Sequence, residues 1–123
     1  MLTQAAHYHA ADLSRNEWLI EQRRWHDGSD GSTIGERLTR AGYRAARWLE
    51  NVGWGFGGDE RMMFDWWMQS PVHRAAILSA DVTEAGAVKL HAPGSDWGYY
   101  WAVEFARPVA APVKQPCPCC GRV

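Results

Sequence analysis

Residues 97–105 read WGYYWAVEF. Trp97, Tyr99, Trp101, Val103 and Phe105 alternate with Gly98, Tyr100, Ala102 and Glu104, which is the two-residue period of a strand with one heavily aromatic face. Glu84 to Leu90 forms a second run able to pair with it across a loop made by HAPGSD. A hairpin is therefore predicted after Asp81, its register left open. Downstream, RPVAAPVKQP from Arg107 reads as an extended tail without a core of its own.

Upstream of the hairpin the period changes to that of helices. Leu2, Ala6, Ala10, Leu13 and Ile20 fall three, four or seven apart, and the spacing predicts one amphipathic helix from Leu2 to about Arg24. WHDGSDGST ends it, because glycines and short polar residues satisfy backbone groups locally. A short helix is predicted over Thr33–Ala41, with Ser32 or Thr33 as cap and Gly42 as the left-handed residue after it. Tyr43 to Asn51 fits strand or helix equally. VGWGFGG then supplies four glycines, and Asp59 opens a helix bearing Met63, Phe64, Trp66 and Trp67. Ser70-Pro71 stops that helix and starts another, which places His73 in a first turn, where the exposed N–H groups favour a neutral imidazole.

The chain of 123 residues suits one domain, and its 46% hydrophobic content can fill one core. Thirteen Lys and Arg against fourteen Asp and Glu leave no positive field for phosphate backbones, so nucleic acid is not an expected partner. No run approaches the ~20 apolar residues of a membrane span, and MLTQAAHYHAADLSRNE lacks a basic-then-apolar leader pattern. Eight tryptophans point to an aromatic core or an aromatic-lined cleft. Cys117, Cys119 and Cys120 lie in the last seven residues and cannot staple the body of the domain.

HExxH, GxSxG and GxxxxGK[ST] are all missing from the sequence. DGSDGS reads as a turn, since it lacks the alternating ligands and terminal Glu of a calcium loop. Four residues at element ends remain as candidates: His26, Glu50, His73 and Glu84. On spacing alone they read as surface residues, and nothing in linear distance brings them together. His9 is expected to be packed on the first helix, His91 exposed in the hairpin loop, and Trp66 and Trp67 at least half committed to the core.

Seven stretches carry a family likeness: HAADL, WHDGSDGS, GERLTRAGY, LENVGWG, WWMQSPVHRAAIL, TEAGAVKL and YYWAVEFA. In that order, over Leu2 to Phe105, the chain resembles the bacterial branch of the CAP superfamily (SCP, or cysteine-rich secretory, antigen 5 and pathogenesis-related-1 proteins). The resemblance implies an α+β fold, an α-β-α sandwich with a small antiparallel sheet between helical layers and an open cleft. It further implies that the cleft holds His26, from an HTGSDG-like segment, and His73, from an SPGHRANIL-like segment, as candidate ligands for Zn²⁺ or another divalent ion. Glu50, from the family's GEN segment, and Glu84, from a TEIG-like segment, are the implied cleft acids. Where eukaryotic members carry a second cleft glutamate, this chain has Ser70, and Leu49 replaces the glycine of GEN. The family's first helix has no counterpart, Leu2 beginning at what resembles the second.

Two functions are expected from that resemblance. One is a binding module for a lipid, sterol or cell-envelope ligand. The other is a metal-assisted hydrolase, peptidase or esterase, with Glu50 or Glu84 as base. Family members are usually extracellular or envelope-associated. The domain is expected over residues 1–106, with a tail over 107–123 whose CPCCG could hold zinc jointly with a second chain and so dimerise.

Overall fold

The computed structural model describes residues 1–111; the cysteine cluster and the expectations attached to it lie outside them. Helix α1 spans Leu2–Arg15 and α2 spans Trp18–Glu21, so the single helix predicted to Arg24 is broken at Asn16. Its side-chain amide donates back to the Asp12 carbonyl at 3.2 Å and to the Asp12 carboxylate at 2.8 Å, competing with continued helix. The break lets Leu19 turn into the core, where it is fully buried.

Helix α3, Ile34–Arg40, starts at Thr33, whose hydroxyl accepts from the Glu36 N–H at 3.2 Å. It ends at Gly42 with φ +85°, Tyr43 N–H returning to the Leu38 carbonyl, as the sequence predicted. Thr33→Ala is expected to cost about 1 kcal/mol, read as a lowered denaturation midpoint, because it removes the cap of the helix that carries Arg37.

The ambiguous segment resolves as strand. Strand β1 is Ala45–Trp54 and includes the first glycine of VGWGFGG; a 3₁₀ turn over Phe56–Gly58 completes the connection. Helices α4, Glu60–Gln69, and α5, Pro71–Ile77, follow, the first capped by Asp59, which accepts from the Met62 N–H at 3.0 Å. Strands β2, Glu84–His91, and β3, Tyr99–Pro108, form the hairpin. Trp97 and Gly98 belong to its turn, so the strand starts two residues later than the alternation suggested.

The three strands are antiparallel in the order β1-β3-β2. The central strand β3 is covered on both faces. Tyr100, Ala102 and Ala106 meet α1 through Ala5, Ala6, Ala10 and Leu13. Trp101 and Val103 meet Met63 and Trp67 of α4, and the Trp67 indole N–H donates to the Val52 carbonyl at 3.0 Å. Helix, sheet and helix thus make the α-β-α sandwich, an α+β fold. Among the described residues no helix is long and apolar enough to cross a membrane.

Candidate functional site

Glu50 is the hub of the polar interior. It faces α1 from β1, and its side chain is fully buried. Oε1 accepts from His26 Nδ1 at 2.8 Å, and Oε2 accepts from the Arg37 guanidinium at 2.7 Å. Arg37 also donates to the carbonyls of His26 and Ser32, at 3.0 and 3.1 Å, tying the WHDGSDGS loop to the sheet. His9 Nε2 lies 3.6 Å from Glu50 but donates at 2.6 Å to the Trp25 carbonyl.

With Nδ1 held by Glu50, His26 keeps Nε2 free on a ring that is 41% exposed. His73 is arranged in parallel: its Nδ1 pairs with the Ser70 hydroxyl at 2.7 Å, and Asn51 of β1 donates to its carbonyl at 3.0 Å. The Ser70 that stands in for a family glutamate therefore touches the second histidine itself. Burial, then the charge of His26, lowers the pKa of His73 below its ordinary value.

Beside His73 opens a cleft of about 400 Å³ lined by Trp25, Trp54, Trp66, Trp97, Phe56 and Met63. Trp66 and Trp97 remain 47% and 49% exposed at its mouth, and the Trp66 ring lies 5.1 Å from that of His73. Trp67, by contrast, is buried.

Glu84 lies elsewhere. It sits on the outer strand β2, opposite Ala106, and accepts from the Tyr43 hydroxyl at 2.5 Å. Burial, with that carboxylate, pushes Tyr43 up to about 12. The structure thus joins His26 to Glu50 and His73 to Ser70, while Glu84 belongs to a separate contact across the sheet. His91 ends β2, exposed and stacked on Tyr99 with ring centroids 4.4 Å apart.

A second acid occupies the position sequence reasoning left without a role. Glu104 is directly opposite Glu50 in the β1–β3 register and is completely buried. Burial, then the hydrogen bond and charge of Glu50, pushes Glu104 up to about 11. Against the upward push of its own burial, hydrogen bonds from Glu104 and His26, with the Arg37 charge, hold Glu50 at about 2. Burial likewise lowers His9, which makes it a neutral Nε2–H donor. Arg37 also escaped the sequence reading; a charged residue on a seven-residue helix gives no sign of pointing inward.

Divalent zinc needs three protein ligands in a catalytic site and four in a structural one. The free Nε2 atoms of His26 and His73 are two donors, and no group of three or more His, Cys, Asp or Glu among the described residues is arranged to hold an ion. These two donors alone fall short of a complete metal centre.

Comparison with known proteins extends the picture. The family model described as the cysteine-rich secretory protein family, CAP, matches residues 1–105. An outer surface protein of Borrelia burgdorferi superposes with a TM-score of 0.69 at 21% identity, over 88% of this chain and 74% of that one. An extracellular protein containing an SCP domain from Bacillus anthracis superposes with a TM-score of 0.70 at 22% identity, over 86% of this chain and 31% of that one. At these identities the two structural likenesses speak for the fold. A search of curated proteins gave no match.

Proposed function

The chain belongs to the cysteine-rich secretory protein (CAP) family, and from that premise together with the cleft we propose that it is a binding module for an amphipathic lipid of a cell envelope. The observation that carries the reading is the cleft wall. Four of the eight tryptophans converge on about 400 Å³ beside one neutral-leaning imidazole. Apolar walls with few convergent polar groups suit a ligand that buries hydrocarbon and anchors one polar end. His73, which lines the cleft and has Nδ1 taken by Ser70, offers Nε2 for that end. The two structural relatives, one an outer surface protein and one extracellular, agree with an envelope setting.

Trp66 and Trp97 report on occupancy directly. Titration with a bromine-labelled phospholipid or fatty acid is expected to quench tryptophan fluorescence saturably, and Trp66→Ala is expected to weaken binding roughly tenfold or more, the scale of losing one large buried apolar contact. Quenching that is non-saturable, or unchanged in Trp66→Ala and Trp97→Ala, removes the reading. A soluble envelope oligosaccharide run in parallel separates glycan from lipid.

Hydrolysis is the second reading, favoured by one feature. Glu50 on Nδ1 fixes the His26 tautomer and leaves Nε2 available as a base. Ester turnover abolished by His26→Ala would support it; absence of turnover by the wild type ends it.

A further inference from the structure

We propose that Glu104 is a neutral carboxylic acid under physiological conditions, donating its proton to Glu50 and so acting as the positioning residue that keeps Glu50 the single ionised acceptor behind His26.

Glu50 and Glu104 face each other across adjacent strands, in the layer between the sheet and α1. Among the described residues no side-chain or backbone donor reaches either oxygen of Glu104, which lies buried directly opposite Glu50 in the strand register. The charged and titratable groups facing this pair are few. Helix α1 offers His9, whose Nε2–H is spent on Trp25; α3 offers Arg37, whose bond to a carboxylate goes to Glu50; β2 offers only Gly86, opposite Glu104.

One guanidinium cannot neutralise two carboxylates in a dry layer, and two buried carboxylates facing each other across adjacent strands do not both ionise. The proton resides on the acid without other donors, Glu104. The carboxylate with Arg37 and His26 on it, Glu50, remains charged. Protonated, Glu104 supplies Glu50 with a further donor, and the imidazole Nδ1–H meets one negative charge rather than two. This assignment holds whichever ligand the cleft takes.

A pH profile of stability tests it without any ligand. The ordinary carboxyl value is 4.5 and the folded value lies well above it, so this contribution is fully present below the ordinary value and is lost as pH rises towards the folded one. Between pH 7 and 9 the folded chain holds one proton that the unfolded chain has released. His9 and His73 are shifted down from 6.5 and Tyr43 and Tyr100 up from 10.0, so among the described residues Glu104 is the group whose shift spans that window. The folding equilibrium of the wild type is expected to fall about tenfold per pH unit there, while Glu104→Gln, which keeps an N–H donor for Glu50, gives a flat profile.

Infrared spectra of the wild type at pH 7.5 are expected to contain a protonated-carboxyl C=O band that Glu104→Gln abolishes. A flat wild-type profile, a slope that survives in Glu104→Gln, or absence of that band overturns the assignment. Should Glu104→Gln fail to fold, the wild-type spectrum and slope still decide.

Discussion

Arg37→Met is expected to destabilise the domain by about 3–5 kcal/mol at neutral pH, the cost of leaving a buried charge without its partner. Folded domains commonly hold only about 5–15 kcal/mol in total. The methionine keeps much of the volume but none of the three donors, so Glu50 Oε2 and the carbonyls of His26 and Ser32 all lose their partners. Two controls separate charge from packing. In a Glu50→Gln background the same substitution should cost much less, because no charge is stranded. Acidification should also narrow the gap. Glu50 in the wild type is depressed from 4.5 to about 2, so its contribution is present above 4.5 and is lost as pH falls through the folded value. A Glu50 without Arg37 takes up its proton nearer the ordinary value and has less to lose. Urea denaturation of both proteins at pH 7 and pH 3.5 measures this; an undiminished difference at pH 3.5 would mean that packing dominates.

The same site shows what residue order could and could not disclose. The family resemblance named Glu50 and His26 among the cleft residues without pairing them, and the structure bonds the two at 2.8 Å. Helix ends were legible because their signals are local: Thr33, Asp59 and Gly42 act within four residues of themselves. The break at Asn16 was missed because the apolar period runs through it, and only a side chain bonding back to Asp12 reveals the stop. Glu104 was opaque for a different reason. Alternation in WGYYWAVEF assigns one face to the aromatics, but only the strand order shows that the other face is covered by α1 as well. With both faces of the central strand covered, Glu104 is a buried carboxyl. Glu84 illustrates the converse, since a matching motif placed it with the cleft acids, while the register sets it on the outer strand against Tyr43.

Gly86 is where that covering helix comes closest, and Gly86→Ala is expected to cost about 3 kcal/mol, the upper range for overpacking. A Cβ there would stand 2.2 Å from the Thr3 nitrogen and 2.4 Å from the Leu2 carbonyl carbon. Both are backbone atoms, so no rotamer relieves the clash and α1 must lift from the sheet. That movement withdraws His9 from Trp25 and loosens the layer holding Glu50 and Glu104, coupling the packing defect to the site. Two other glycines calibrate the effect. At Gly53 a Cβ would meet Met63 Sδ and Cε, the far end of a flexible side chain, so Gly53→Ala should cost less and be relieved by Met63→Val. At Gly94, φ is +81° with nothing within 4 Å, which leaves only the left-handed backbone penalty of about 1–2 kcal/mol. Denaturant midpoints should therefore rank Gly86→Ala as the most damaging of the three. Equal losses at Gly86 and Gly94 would show that α1 yields cheaply, and that close contact with β2 does not fix its position over the buried acids.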